Sequence, residues 1–134
     1  MNTVQIIIEK SKSGYSAYIP ELPGCVSTGH SLDEIKNKIA EAIDFHLSGM
    51  REDKLTIPLS FNGSYELQFS LDVETFLNHY NHILTRRALS RITGINESLL
   101  SQYASGLKHP RPAQSKKIEK GLHKLAHDLL QISF

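Results

Sequence analysis

The apolar periodicity of this chain changes once, near residue 71, and that change limits what it can fold into. Up to Ser70, short β-branched and aromatic runs alternate with turn residues. From Asp72 onward the apolar residues recur at helical spacing, with Val73, Phe76, Leu77 and Tyr80 at i, i+3, i+4 and i+7 behind a capping Asp72. The pattern predicts an α+β chain with a sheet-containing domain over residues 1–70 and an all-helical domain over residues 71–134. No Gly/Ser- or Pro-rich linker separates them, so the two are expected to abut. Charge divides at the same border: residues 1–70 hold six Lys/Arg and nine Asp/Glu, net −3, while residues 71–134 hold nine and five, net +4. The overall net charge of +1 conceals this polarity.

Within the first half, Val4 to Glu9 and Tyr15 to Ile19 read as two strands joined by Ser11-Lys12-Ser13-Gly14. Pro20 and Pro23 remove two backbone donors, so Pro20 to Gly24 must be a shaped loop, followed by a short strand from Cys25 to Thr28. Ser31 and Glu34 form a capping box. Leu32, Ile35, Ile39, Ile43 and Leu47 then repeat at helical spacing until Gly49, with Lys36, Lys38, Glu41 and Asp44 on the wet side. A helix with one apolar side implies a two-layer unit. Leu55 to Phe61 and Tyr65 to Phe69 flank Asn62-Gly63, a hairpin signal, although Pro58 demotes the first run to an edge or irregular stretch.

In the second half, Thr85 to Gly94 and Ile95 to Gly106 read as two short helices meeting at Gly94, a residue able to take the left-handed conformation that ends the first; Asn96 caps the second. Ala88 is expected to let the helices cross closely, with Leu89, Ile92, Ile95, Leu100 and Tyr103 as the shared core. Pro112 opens a last helix carrying Ile118, Leu122, Leu125, Ala126 and Leu129. Arg86 to Pro112 resembles the Cro/repressor-like helix-turn-helix family, most clearly in Gly94-Ile95-Asn96-Glu97-Ser98-Leu99-Leu100-Ser101-Gln102-Tyr103 followed by Ser105-Gly106. The resemblance implies that the second helix enters the major groove and offers Asn96, Glu97, Ser98, Ser101 and Gln102 to base edges. Glu97 stands where that family commonly has glutamine. Arg86, Arg87, Lys108 and Arg111 flank the turn and suit phosphates, which position a protein without reading sequence. The row Lys116, Lys120, Lys124 reads as a solvated face.

Several classes are not expected. Cys25 is the only cysteine, so no internal disulfide can form, and a reducing cytoplasm is the expected location. The amino terminus lacks a basic, apolar leader pattern, and no run approaches the roughly 18 apolar residues of a membrane span. Two-metal nuclease chemistry needs converging carboxylates. Glu9, Glu21, Asp33, Glu34, Glu41 and Asp44 are mostly assigned to caps and solvent faces, so no catalytic residues, metal ligands or cofactor are assigned. His30 reads as a polar strand-end residue, Cys25 as a small buried hydrophobe, and His79 with His82 as at best half a metal site.

Tyr15-Ser16-Ala17-Tyr18-Ile19-Pro20-Glu21-Leu22-Pro23-Gly24-Cys25, the strand end at Gly29 and the capped helix through Ile43 are similar to the HicB antitoxin family over residues 4–48. Glu21 stands where that family usually has aspartate and His30 where it has a small acidic residue. The resemblance implies a partial ribonuclease H-like β-β-β-α-β fold that binds and silences a HicA-type mRNA interferase. The expected function is thus an antitoxin that neutralises its toxin through the first domain and represses its own operon through the second. Tyr18, Glu21 and Leu22 are the expected toxin contacts, on a loop projecting from the sheet edge. An RNA-binding toxin is expected to be basic, which the acidic first half would complement. Operator binding calls for a homodimer or higher homo-oligomer, with Leu129 to Phe134 as one contact. The alternative is a stand-alone transcription factor whose first half senses a ligand or mediates assembly.

Overall fold

A computed structural model describes all residues from Met1 to Phe134, which gather into two units, Met1–Leu71 and Asp72–Phe134. The chain is mixed α+β, with one four-stranded sheet and five α-helices.

In the first unit, β1 (Asn2–Ser11) and β2 (Gly14–Tyr18) pair antiparallel, and β3 (Val26–Gly29) adds antiparallel to β2. The loop after β2 satisfies its backbone with two successive turns: Leu22 N–H donates to the Ile19 carbonyl and Cys25 N–H to the Leu22 carbonyl, each at 3.0 Å. α1 (Leu32–Glu52) begins at Ser31, whose hydroxyl accepts the Glu34 N–H at 3.1 Å. The Glu34 carboxylate reaches one residue further back than a capping box requires and accepts the His30 N–H at 2.9 Å. The helix runs through Gly49 to Glu52. Lys54, at φ 56°, takes the left-handed position that glycine usually fills, and Lys54 N–H closes on the Arg51 carbonyl at 3.1 Å. Leu32, Ile35, Ile39, Ile43 and Leu47 point inward onto Val4, Ile6, Ile8, Ala17 and Ile19 of the sheet side. Burial of the five helix residues contributes on the order of 10 kcal/mol before ordering entropy is subtracted.

Asn62-Gly63 does not close a hairpin. Pro58 to Phe61 form a tight 3-10 turn, with Phe61 N–H on the Pro58 carbonyl at 3.0 Å. Gly63, at φ 76°, then turns the chain into β4 (Tyr65–Ser70). β4 pairs parallel to β1, Asn2 opposite Tyr65 and Val4 opposite Leu67, giving the order β3-β2-β1-β4. A parallel neighbour needs a long crossover, and α1 supplies it. The local hairpin signal gives way because Pro58, with no N–H and a fixed φ, cannot build the preceding strand.

The second unit consists of α2 (Val73–His79), α3 (Arg86–Thr93), α4 (Glu97–Ser105) and α5 (Pro112–Leu130). Asp72 caps α2, its carboxylate accepting the Thr75 N–H at 2.6 Å. Leu77, Leu89, Ile95, Leu100, Tyr103, Ala104 and Ile118 are the buried core. Sequence did not mark a close approach between α3 and α5. A Cβ on Gly121 of α5 would stand 2.4 Å from the Ile92 carbonyl oxygen of α3, so glycine at 121 is what lets those backbones meet.

Candidate binding surfaces

α3 and α4 are built around their junction. Thr85 caps α3 by accepting the Ala88 N–H at 3.0 Å, and Gly94 ends it in the left-handed region at φ 74°. Buried Thr93 fastens the turn: its hydroxyl donates to the Leu89 carbonyl at 2.7 Å and accepts the Ile95 N–H at 3.2 Å. Asn96 caps α4, its carboxamide oxygen accepting the Leu99 N–H at 2.7 Å. Within the same unit, the Asn78 side chain of α2 donates to the Ala104 carbonyl at 2.8 Å and holds the far end of α4.

This frame turns Leu100, Tyr103 and Ala104 inward and leaves Glu97, Ser98 and Ser101 exposed, with Gln102 half-buried beside them. Asn96 is exposed too, but its oxygen is committed to the cap. One lone pair of that oxygen and both amide N–H donors remain, so Asn96 still offers an acceptor and donors outward. Arg87, Lys108 and Arg111 are exposed and Arg86 half-buried. Neither of the two ion pairs, Lys38 with Glu34 and Lys116 with Glu119, engages any of them. The structure adds a cation that spacing did not single out: the Lys117 Nζ lies 3.7 Å from where a Gly94 Cβ would stand, beside the α3–α4 turn. Only the packing of α5 on α3 brings it there, and no sequence signal marks it. A cation at that spot also complements the carbonyl end of α3.

The sheet of the first unit has one face under α1 and one that no helix of that unit covers. Register places Val26, Tyr18 and Ile7 in one row across that open face, with Tyr18 opposite both. Val26 is 65% exposed and Tyr18 38%. The charged strand residues on this face are Glu9 and Glu66, and Lys and Arg are absent from it, as strand alternation and the pairing register show. Alternation along β1 marks Ile7 as facing away from Ile6 and Ile8, yet only the register assembles the row. Glu21 is exposed in the following loop. Leu22, expected as a contact on that loop, is 2% exposed and belongs to the core. Its two turn hydrogen bonds draw the loop back over the sheet end, so it anchors the loop instead of presenting a surface.

The remaining polar groups are dispersed. A cavity of about 210 Å³ lies between the β1–β2 turn, the end of β3 and α1, lined by Ser13, Tyr15, Thr28, His30 and Lys38 among others; a small-molecule site usually needs roughly 300 Å³ or more. His30 is exposed, its Nδ1 3.2 Å from the Ser13 carbonyl. The His30 N–H, then the Lys38 ammonium, hold the Glu34 carboxyl below its ordinary range. Burial pushes the Cys25 thiol up, away from the reactive thiolate. His79 packs edge-on to Tyr80 with ring centroids 4.7 Å apart. No three His, Cys, Asp or Glu side chains gather where they could share a metal ion. No helix is long and apolar enough to cross a membrane.

A family model described as the HicB-like antitoxin of bacterial toxin-antitoxin systems matches residues 4–93. The chain belongs to this family. The match runs from β1 through α3 and stops at the Gly94 turn, so α4 and α5 lie outside it. Among relatives, a 14.9 kDa protein from the rep-hol intergenic region of Haemophilus phage HP1 is 46% identical over 55 residues, 41% of each chain. A UPF0150 protein of Helicobacter pylori is 42% identical over 52 residues, 39% of this chain and 72% of the relative. Another UPF0150 protein, from Archaeoglobus fulgidus, is 44% identical over 43 residues, 31% of this chain and 62% of the relative. The chain thus spans about two fifths of the phage protein and under two thirds of the archaeal one.

Proposed function

We propose that this member of the HicB-like antitoxin family binds and neutralises a HicA-type mRNA interferase through its first unit and represses its own operon through its second. In this reading it is a cytoplasmic homodimer or higher homo-oligomer and performs no catalysis of its own. The observation that carries the reading is the family match over residues 4–93. The strand order β3-β2-β1-β4, with β4 parallel to β1, supports a partial ribonuclease H-like β-β-β-α-β architecture. An interferase must bind RNA, so it presents cations; the open face with Glu9, Glu66 and the apolar row is the complementary surface, and charge matching of this kind accelerates encounter.

For the second unit, the capped, glycine-hinged pair α3–α4 supports a helix-turn-helix reading. α4 would lie in the major groove, with Asn96, Glu97, Ser98, Ser101 and Gln102 toward base edges and Arg86, Arg87, Lys108, Arg111 and Lys117 toward phosphates. The test is co-expression with the product of the neighbouring reading frame, expected to be small and basic. Purified complex should show the chain bound to that protein, and mRNA cleavage should fall to background at a molar excess of the chain. The chain should also retard DNA from its own promoter. Undiminished cleavage at excess refutes neutralisation; retardation no stronger than for random duplex refutes operator recognition.

A further inference from the structure

α4 carries a single charged side chain, and it is an acid. From Glu97 to Ser105 the helix has no Lys or Arg, although the unit around it holds nine of them against five Asp/Glu. Glu97 is exposed in the first turn, just behind the Asn96 cap, and neither ion pair of the chain uses it. The positive end of the α4 dipole accommodates a carboxylate at this position without a cationic partner. Its exposed neighbours on the helix, Ser98 and Ser101, are short and neutral, so the carboxylate stands clear of them. On a helix turned toward a polyanion, such a group is repelled by every phosphate and needs a donor to face.

Base edges in the major groove differ in what they offer to such a group. Guanine shows two acceptors, adenine an acceptor beside its amino donor, and thymine an acceptor beside a methyl group; cytosine shows its N4 amino donor with no acceptor of its own next to it. A carboxylate accepts and cannot donate. It is therefore repelled by guanine, half-matched by adenine and matched by cytosine. Arg and Lys, the side chains that most often take guanine, are absent from α4. We infer that Glu97 is a specificity-determining residue that reads cytosine, its carboxylate accepting from the N4 amino group of one C·G pair in the operator. The wrong base at that pair leaves the carboxylate unmatched in the groove, so the same side chain attracts one base and rejects the others. Gln102, five residues or about 7.5 Å further along the helix, serves a different base pair. The inference deepens the operator reading above and rests on it.

Selection from a duplex pool of randomised sequence tests it, using the full chain as wild type, as Glu97→Gln and as the control Asp128→Asn. The control removes the same charge from an exposed position of α5, and both changes keep side-chain shape, so the circular dichroism of the three proteins should superimpose. Wild type and control should enrich the same site, in which replacing one C·G pair weakens binding about 5- to 150-fold by anisotropy titration. Glu97→Gln should abolish the preference at that single pair and move it toward A·T, because glutamine meets adenine N6 and N7 bidentately, with the other positions unchanged. A folded Glu97→Gln protein that keeps the wild-type preference at every position overturns the inference, even if it binds all duplexes more tightly; the carboxylate is then a repulsive charge only, and operator recognition stands. If wild type enriches no sequence at all, the operator reading and the inference fall together.

Discussion

Gly121→Ala should destabilise the second unit although alanine is the better helix former. In an unobstructed helix the change is worth about 1 kcal/mol in favour of alanine. At position 121 the new methyl group would lie 2.4 Å from the Ile92 carbonyl oxygen and 3.3 Å from the Thr93 Cα, and both are backbone. Restoring ordinary contact requires α3 and α5 to separate by about 1 Å, and overpacking of this kind costs about 1–3 kcal/mol, toward the upper end because no side chain can swing aside. The net expectation is a loss of about 2 kcal/mol, which lowers Tm by roughly 8–16 °C in a unit of this size. Gly49→Ala is the matched control: a Cβ there meets nothing within 4 Å, so the same substitution in α1 should gain about 0.5–1 kcal/mol. Thermal unfolding followed by amide resonances assigned to each unit reads both effects separately. If Gly121→Ala raises the melting of the second unit as Gly49→Ala raises that of the first, the close-crossing argument is wrong.

Three further outcomes are expected. Gln102→Ala should relax preference at one base position by about 1–3 kcal/mol, whereas Arg87→Ala should weaken binding to all sequences and reduce the salt slope by about one; equal losses on specific and random duplex in a salt series would contradict these roles. Tyr18→Ala should cost more than about 1 kcal/mol of toxin affinity with little change in melting, while Leu22→Ala should cost about 2–5 kcal/mol of first-unit stability, as titration calorimetry and urea unfolding can tell apart. Glu34 is held ionised by the His30 N–H and then by Lys38, so its folded pKa lies below its unfolded value. Its contribution to stability is therefore present above the ordinary glutamate range near 4.3 and is lost as pH falls through the depressed folded pKa. Glu34→Gln should flatten the acid limb of first-unit stability, and a pH-melting profile that keeps the wild-type slope would dismiss the assignment.

What could be read from the residues alone was what depends on near neighbours. The caps Ser31, Asp72 and Asn96, the hinge at Gly94 and the inward stripe of α1 each involve residues within about four positions, where side-chain oxygen, backbone N–H and helical period leave few alternatives. The candidate base-edge residues on α4 were legible for the same reason, since the cap and the period decide which of them face out. Tertiary contact decided the rest. β4 lies parallel to β1 instead of closing a local hairpin, Leu22 turns inward, Tyr18 joins Ile7 and Val26 in one row, and Lys117 arrives beside Gly94. Each of these joins segments that local periodicity does not connect, and each is selected by burial and close packing across the fold, quantities that no single stretch of the chain contains.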